Sequence, residues 1–403
     1  GKSYGDAAIL KNGKVLNLSA FNSLTLNKKE NTITVGAGLS FSEILEYIIP
    51  KGYFLPVVAG TSLITVGGAI ASDIHGKNHL RKGSIGKNIK SITLINGKSE
   101  IIKLSPTTES NKELFWATIG GMGLTGIIIE ATLSVFRISN SYLKVKTKKH
   151  SNIESIIQCM GTEDKFNEYN VAWIDSQSSK GRGISQHANH LDNINIQNGI
   201  KTNSLTFKTS YQINFPKILN FNIVNKFTVK LMNKIYYHSN FSKNKVDFQK
   251  ISKFFFPLDR IKNWNLAYGR NGFLQYQFLI PEKESSFLSW VLREFRKNDS
   301  YSYVTVLKKF GESNFSPLSF PEPGWSLSLD IPNNSIKSLN LLEKIDKELN
   351  FIGGKIYLAK DARMRPNIIK NSYPKIEEFY KYKKILDPES KFASDLSKRL
   401  FEL

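Results

Sequence analysis

Lysine, histidine and glutamine side chains occur in this chain beside small or apolar residues. His75 lies in a run of small residues, Lys360 follows an apolar stretch, and Gln275 and Gln277 stand two apart. Histidine exchanges protons near neutral pH, a lysine in a dry site stabilises negative charge, and strand residues two apart face the same way. These residues predict a pocket that binds a polar ligand and handles protons or developing anions.

The segment 67–78 concentrates glycine and small residues and ends in His-Gly-Lys-Asn. Glycine lacks a Cβ, so backbone N–H groups can approach a ligand closely. The segment is typical of backbone that lies against a large planar or phosphorylated ligand. Gly67 and Gly68, together with 60–62, are expected to donate backbone N–H groups to phosphate oxygens.

Composition limits the possible functions. At 403 residues the chain predicts two domains or one elaborated domain, and no apolar run is long enough for a spanning helix. The single cysteine, Cys159, excludes an internal disulfide, a multi-cysteine zinc site and an iron–sulfur cluster held by this chain alone, and we expect it to fill core. No metal site is expected. A formal net charge of +22 favours nucleic acid, anionic lipid or phosphorylated substrates without choosing between them.

Residues 1–138 alternate short β-branched runs with turns, which predicts an α+β fold with strands at 32–35, 89–94, 101–104 and 126–135. Ser40 and Glu43 form a capping-box pattern that predicts a helix start. Residues 36–38 superficially resemble a dinucleotide-binding turn. The third glycine and a closing acidic residue are missing, so a tight strand-to-helix turn is expected instead.

The pattern changes near 139–149, where we place a domain boundary. Alternating segments at 171–174, 273–280, 303–307 and 325–331 predict a large antiparallel sheet within 140–350. In the tail, Asp387 followed by Pro388 predicts the start of a helix.

Residues 201–250 hold nine lysines and one acidic residue, Asp247. Lysines mixed with aromatic rings suit a membrane interface, and a solvated insertion is the open alternative. A nucleic-acid groove is not expected, because no recognised binding module surrounds the segment. The interleaved aromatic residues are Phe207, Tyr211, Phe215, Phe221, Phe227, Tyr236, Tyr237 and Phe241.

Five motifs occur in order at 1–6, 59–62, 66–71, 73–76 and 120–126. Together they resemble the PCMH-type FAD-binding domain of the vanillyl-alcohol oxidase superfamily. The resemblance implies an α+β fold with a two-part FAD-binding domain and a substrate domain built on the large antiparallel sheet. It implies domains at 1–139 (FAD-binding), 140–353 (substrate-binding) and 354–403 (returning to the FAD-binding domain).

Further motifs at 73–78, 273–278, 317–321, 357–361 and 392–395 resemble the decaprenylphosphoryl-β-D-ribose 2′-oxidase family over nearly the whole chain, most weakly over 180–250. The resemblance implies FAD-dependent oxidation of the 2′-hydroxyl of a polyprenyl-phosphoryl ribose to a ketone. A partner short-chain reductase would then complete epimerisation to the arabinose. Peripheral membrane association, on either face, and a quinone electron acceptor are also expected.

The resemblance implies FAD bound without a covalent link, because Lys2 stands where covalent members often carry histidine; Lys2 is expected to pair with a phosphate. The expected FAD contacts are Lys2, Ser3, Tyr4, Gly60, Thr61, Ser62, Gly67, Gly68, Ala71, Ser72, Ile74, His75, Gly76, Asn78, Gly126, Ile127 and Tyr357.

Lys360, Tyr357 and His75 are the catalytic residues that the resemblance implies. Lys360 would stabilise charge on the reduced flavin or contact the substrate 2′-oxygen, and His75 would mainly position its partners. The expected substrate contacts are Lys77, Trp173, Phe255, Gln275, Gln277, Lys308, Ser326, Ser328 and Lys360.

The chain departs from the family pattern at two of these positions. Ser328 replaces a cysteine and Phe255 replaces a tyrosine, so a thiol-directed inhibitor should fail at position 328 and the details of substrate contact are open. An aldonolactone or alditol oxidase of the same superfamily is the main alternative. A non-catalytic basic protein that binds lipid or nucleic acid is the other.

Overall fold

The structure is a computed structural model that describes residues 2–191, 204–208, 213–215, 223–239, 244–333 and 336–401. Within the segment 201–250, the predicted interface residues Tyr211, Phe221 and Phe241 lie outside the described residues. In chain order, strands β1 to β17 are Leu24–Asn27, Thr32–Gly36, Tyr53–Phe54, Ile89–Ile95, Ile101–Leu104, Ile127–Ser134, Phe136–Arg137, Tyr142–His150, Tyr169–Ile174, Gly183–His190, Ile213–Asn214, Asn244–Lys250, Ile261–Lys262, Phe273–Pro281, Thr305–Phe310, Gly324–Pro332 and Lys355–Ile356. Helices α1 to α12 are Phe41–Ile48, Val66–Ala71, His79–Lys82, Lys112–Thr118, Ile153–Glu163, Lys226–Ser239, Ile251–Phe255, Ser286–Lys297, Ile336–Phe351, Pro366–Ser372, Ile376–Leu386 and Asp395–Leu400.

A five-stranded antiparallel sheet, ordered β1-β2-β6-β4-β5, forms the N-terminal part. The predicted capping box is confirmed, since Ser40 and Glu43 cap α1 reciprocally. A dinucleotide-binding βαβ unit needs parallel strands, which this sheet lacks. A Cβ at Gly36 would lie 2.3 Å from the Phe21 carbonyl oxygen, so this glycine serves a close backbone crossing at the tight turn that the sequence predicts.

An eight-stranded sheet, ordered β12-β8-β10-β9-β15-β16-β14-β17, forms the second layer, and its neighbouring strands pair antiparallel. This confirms the predicted large antiparallel sheet and the α+β class. The strand predicted at 303–307 begins two residues later, at Thr305. The central strands β15, β16 and β14 carry lysine, serine, glutamine and aspartate on one face, and that face becomes the wall of the site.

The two ends of the chain meet beside the end of β17. Tyr4 and Asp6 donate backbone N–H groups to the carbonyls of Ala359 and Asp361. Arg399 in α12 binds both carboxylate oxygens of Asp6 (2.8 Å each) and one of Asp361 (2.9 Å). The C-terminal segment therefore fixes the N-terminal motif. The domain boundaries themselves stay a prediction.

The prediction of a helix starting near Asp387 is wrong. Helix α11 ends at Leu386, and the next helix begins at Asp395 with Ser394 as its N-cap. Asp387 does accept backbone N–H groups, from Lys391 and Phe392, but it caps a turn and also binds Lys383 (2.9 Å). The Asp-Pro signal therefore marked a capped turn.

Gly5 is the tightest backbone contact between the two chain ends. A Cβ there would lie 1.7 Å from the Asp361 carbonyl oxygen, whereas a Cβ at Gly161 in helix α5 meets no atom within 4 Å. We expect Gly5→Ala to lower the free energy of unfolding by about 1–3 kcal/mol through overpacking. Gly161→Ala should raise it by about 0.5–1 kcal/mol. Thermal and urea unfolding of both variants test this, and an unchanged melting temperature for Gly5→Ala would contradict it.

Candidate active site

The glycine N–H groups of helix α2 are hydrogen-bonded within the protein. Gly67 donates to the Ala37 carbonyl (2.9 Å) and Gly68 to the capping Thr65 Oγ1 (3.4 Å). Protein acceptors hold both amides in this structure, as Asp259 holds the amide of Ser62, and the expected pyrophosphate contact stays a prediction. Gly67 also permits close packing, since its Cβ would lie 3.2 Å from that of Ala37.

The loop before α2 does hold an anion. Asp259 Oδ2 accepts both the backbone N–H (2.7 Å) and the hydroxyl (2.8 Å) of Ser62. Gly60 and Thr61 precede it, and a Cβ at Gly60 would meet no atom within 4 Å. The loop therefore has open backbone and donors suited to a phosphate, which would have to displace the Asp259 carboxylate.

The turn after α2 is fixed from several sides. Asp73, buried with φ +42°, accepts from Gly86 N (3.1 Å) and Asn314 Nδ2 (2.7 Å). Asn78 Nδ2 donates to the Pro56 carbonyl (2.8 Å), and a Cβ at Gly76 would lie 2.7 Å from Asn78 Oδ1. These contacts, which the sequence reasoning missed for Asp73, set the position of His75.

The other residues of this region that are predicted to contact FAD differ in burial and packing. Ile74 is buried while Ala71 and Ser72 are half-buried, and Ile127 is half-buried at the start of β6. Gly126 packs against β4, with a Cβ position 2.0 Å from Leu94 Cδ1. Their assignment to FAD stays a prediction.

His75 is buried and neutral. Gln277 Nε2 donates to His75 Nε2 (2.9 Å), which leaves the proton on Nδ1, and that buried nitrogen has no partner. Burial first, then the charges of Lys308, His79 and Lys360, hold the pKa of His75 well below its usual value. His75 can therefore donate a hydrogen bond from Nδ1 but offers no free lone pair as a base.

Tyr357 lies against His75, with ring centroids 5.1 Å apart, and stacks on Phe320. Its hydroxyl donates to the Ser72 carbonyl (2.7 Å), and burial raises its pKa far above the usual value. The phenol is therefore committed to the turn after α2, where it joins the two layers.

Two neighbouring strands build a polar wall beside His75. Gln275 pairs in register with Asp330, and Gln277 with Ser328. Gln275 Nε2 donates to Asp330 Oδ1 (2.6 Å), and Gln277 Nε2 donates to Ser326 Oγ (2.8 Å). Asp330 is a residue of this wall that the sequence reasoning missed. The signal was present, because Asp330 continues the period-2 series of Ser326 and Ser328.

Lys360 reaches this wall from a 3₁₀ turn, Leu358–Lys360, that follows β17. Its Nζ donates to Ser328 Oγ (3.2 Å) and lies 6.0 Å from the Tyr4 ring centroid. Burial and the charge of Lys308 lower its pKa to about 7, against the opposing effect of Asp330. The predicted catalytic lysine thus lies inside the pocket.

Two more lysines enter the same pocket. Burial lowers the pKa of Lys77 to about 7, and Lys77 donates to the Phe254 carbonyl. Burial lowers the pKa of Lys308 to about 8, and among the described residues its ammonium has no hydrogen-bonded or ionic partner. The pocket therefore carries more positive than negative groups.

The remaining predicted residues divide into three settings. Trp173 is half-buried, with its ring 4.8 Å from Tyr236 of α6. Phe255 is 1% exposed and packs on Phe54 and Tyr169 in the apolar core, with the Lys77 ammonium 5.8 Å from its ring centroid, and its contact with substrate stays a prediction. Lys2 and Ser3 are exposed and Tyr4 is half-buried.

The FAD binding domain family matches residues 1–105. Decaprenylphosphoryl-β-D-ribose oxidase of Mycolicibacterium smegmatis is 34% identical over 99% of this chain and 87% of its own length. The chain belongs to the decaprenylphosphoryl-β-D-ribose oxidase family. D-arabinono-1,4-lactone oxidase of Kluyveromyces lactis is 28% identical over 40% of this chain and 29% of its own length.

Family membership makes the chain an FAD-linked oxidoreductase with a PCMH-type FAD-binding domain. The residues present fit that cofactor. Ser62 holds an anion on its amide and hydroxyl, and His75 keeps a buried Nδ1–H donor without a partner. These residues, with Tyr4, the α2 turn and Tyr357, are the ones that would hold it.

Ser328 gives a direct test of this geometry. Ser328→Cys would place a thiol beside the Lys360 ammonium, and a neighbouring cation favours the reactive thiolate. We expect iodoacetamide to alkylate the variant at position 328, with loss of oxidase activity, while wild-type activity survives. Peptide mass spectrometry measures the site.

Cys159 is the control thiol. It is half-buried rather than core-filling as predicted, with Sγ 3.7 Å from His187 Nε2. The variant is therefore made in a Cys159→Ser background. Equal inactivation of Cys159→Ser with and without Ser328→Cys would contradict the placement of position 328.

Proposed function

We propose that this protein oxidises the 2′-hydroxyl of a polyprenyl-phosphoryl-β-D-ribose to the 2′-keto sugar, the first half of an epimerisation to the arabinose. The observation that carries the proposal is the pocket wall opposite His75, which combines unpartnered buried hydrogen-bond acceptors with lysine ammonium groups. Such a wall suits a ligand that has both hydroxyl donors and a negative charge.

The unpartnered acceptors of the wall favour a ligand that carries hydroxyl groups. Gln275 Oε1, Gln277 Oε1 and Asp330 Oδ2 are buried and have no partner within the structure. An unsatisfied buried polar atom costs about 1–3 kcal/mol, so a native pocket keeps such atoms where a ligand satisfies them. A sugar supplies several O–H donors on one ring.

The buried lysines favour a ligand that carries negative charge. Lys77, Lys308 and Lys360 surround the wall, and Asp330 is the acidic residue that offsets the charge of Lys360. A phosphodiester beside these lysines would offset the excess of positive charge. Free alditols and lactones carry no such charge, which favours a phosphorylated sugar over the aldonolactone or alditol alternative.

Lys360, Ser328 and His75 have different roles in the proposed oxidation. The chemistry that bound FAD supplies is acceptance of a hydride from the carbon that bears the hydroxyl. Lys360 takes the hydroxyl proton: the O–H bond breaks, the proton passes to the neutral amine, and the carbon–oxygen double bond forms as the hydride leaves. Burial, which lowers the pKa of Lys360 to about 7, makes the neutral amine available near neutral pH. Ser328 orients the amine and His75 donates from Nδ1.

The relatives also favour this substrate class. The match to the ribose oxidase extends over nearly both full lengths, whereas the match to the lactone oxidase covers 40% of this chain. The match to the lactone oxidase is about as long as the FAD-binding part, which superfamily members share. The pocket wall on β14 and β16 lies within the longer match.

We also propose that helix α6 docks the enzyme on an anionic membrane surface. Among the described residues, no helix has the length and apolarity to cross a bilayer. Helix α6 instead has an exposed apolar stripe, Phe227, Leu231 and Ile235, beside an exposed lysine stripe, Lys226, Lys230 and Lys234. Residues four apart share a helix face, so rings and chains can enter the headgroup region while the ammonium groups meet anionic lipid.

Two further partners belong to this proposal. A quinone dissolved in the same membrane is the proposed electron acceptor. A short-chain reductase is the proposed partner that reduces the 2′-keto product to the arabinose. The quinone would meet the bound cofactor, and the reductase would meet the keto product, at the membrane surface on which α6 docks the enzyme. No nucleic acid is proposed.

The substrate assignment is tested with FAD-loaded protein under anaerobic conditions. We expect farnesyl-phosphoryl-β-D-ribose to bleach the yellow flavin absorbance, with a rate that rises as pH rises through about 7 because the base form of Lys360 is lost below its pKa. Lys360→Met should slow bleaching by about 10²- to 10⁴-fold. Lys309→Met, which removes a lysine on strand β15 whose ammonium binds Glu282, is the matched control and should bleach normally. Bleaching by an aldonolactone or alditol and not by the phosphoryl ribose would refute the assignment.

The membrane assignment is tested by co-sedimentation with phosphatidylglycerol–phosphatidylcholine vesicles. We expect the wild type to bind these vesicles, less at raised salt, and to leave pure phosphatidylcholine unbound. Lys230→Glu/Lys234→Glu should weaken binding at least about tenfold, since each lysine near the surface contributes about 1 kcal/mol. Lys28→Glu/Lys29→Glu makes the same charge change in an exposed turn and is the control. Equal weakening by both variants would show that net charge, not α6, drives binding.

A further inference from the structure

Asp330 has a carboxylate oxygen that no described residue satisfies. The residue is 1% exposed; Oδ1 accepts from Gln275 Nε2 (2.6 Å), and Oδ2 has no partner. Its backbone N–H is held by the Ser302 hydroxyl (3.0 Å), so the strand position is fixed. A carboxylate so placed cannot turn toward solvent to complete its hydrogen bonds.

The charged and titratable groups that interact with Asp330 do not include a hydrogen-bond partner for Oδ2 among the described residues. Lys360 and the phenols of Tyr4 and Tyr268 are near enough to interact electrostatically with it. No salt bridge within 4 Å joins Asp330 to Lys360 among the described ion pairs, and the Tyr268 hydroxyl is itself unpartnered. The gap between the lysine and the carboxylate is therefore not closed by protein atoms.

Asp330 Oδ2 lacks a hydrogen-bond donor, which an O–H group of a ligand would supply. Burial raises the pKa of Asp330 to about 6, opposed by Gln275 and Lys360, so the carboxylate is ionised near neutral pH and can only accept. Lys360 meets the wall at Ser328, and Asp330 is the next residue on the same face of β16. A cis-diol presents two oxygens on one side of a ring, one for each of these groups.

We propose that Asp330 determines specificity by accepting a hydrogen bond from the 3′-hydroxyl of the ribosyl group while Lys360 contacts the 2′-oxygen. This assignment rests on the proposed function. It makes the ribo cis-diol, and not a single hydroxyl, the feature that the pocket selects. A sugar without the 3′-hydroxyl would leave the Asp330 carboxylate buried and unpaired.

The test combines a protein change with a substrate change. Wild type and Asp330→Ala are each assayed with farnesyl-phosphoryl-β-D-ribose and with its 3′-deoxy analogue. We expect either change alone to lower kcat/KM by about 10- to 100-fold, the range for a hydrogen bond to a charged group. The two changes together should cost little more than one, because both remove the same hydrogen bond.

Asp330→Asn keeps the side-chain volume and serves if the alanine variant folds poorly, as judged by melting temperature and flavin spectrum. It should retain part of the 3′-hydroxyl discrimination and shift the pH profile of turnover downward, because a carboxylate that raises the pKa of Lys360 is gone. The discrimination between the ribosyl substrate and its 3′-deoxy analogue, which a purely structural role would not change, decides the assignment.

The outcomes separate the two proposals. If wild type oxidises the ribosyl substrate but Asp330→Ala slows both substrates by the same factor, the assignment of Asp330 is overturned and the proposed function stands. If wild type prefers the 3′-deoxy analogue, the assignment is likewise overturned. If wild type oxidises neither, the proposed function fails and this assignment falls with it.

Discussion

The hydrogen bond from the Lys360 ammonium to Ser328 Oγ holds a cation against a wall made of two antiparallel strands. A buried ammonium is costly, and here burial and the charge of Lys308 both act against its protonated form. Asp330, which lies two residues after Ser328 on strand β16, offsets part of that cost without contacting the lysine. The lysine is thus poised between protonation states, and the behaviour of the pocket depends on that balance.

The position of Lys360 is set from outside the pocket. The next residue, Asp361, accepts from the amides of Arg363 and Met364 and from the Arg399 guanidinium. The same guanidinium binds Asp6, so one side chain in the last helix fixes both the N-terminal motif and the turn that carries the lysine. Gly5 allows this approach because a side chain there would collide with the Asp361 carbonyl. The 3₁₀ turn is rigid because both ends of the chain hold it.

Local patterns were enough to predict the large antiparallel sheet, four strands of the N-terminal sheet and the start of helix α1, because alternation and a capping box are local signals. They also placed Gln275 and Gln277 on one face. They could not show that Phe255 faces the core, since an aromatic residue in a helix reads the same whether it covers a pocket or fills the interior. Nor could they show that Ala37 and Thr65 already hold the amides of Gly67 and Gly68, because hydrogen-bond partners distant in sequence leave no mark on a glycine run.

The sheet order ties the pocket to the surface that carries α6. Strand β9 lies beside β15, so Trp173 stands opposite Val306, two residues from Lys308. Tyr236 of α6 packs on Trp173, and Asn233 one turn earlier donates to Asp175 at the end of β9 (2.8 Å). A helix anchored by these two contacts cannot move independently of the strand. A substrate with an apolar tail and a charged, hydroxylated head needs both environments at once, and the contacts of Tyr236 and Asn233 join the helix to the strand beside β15.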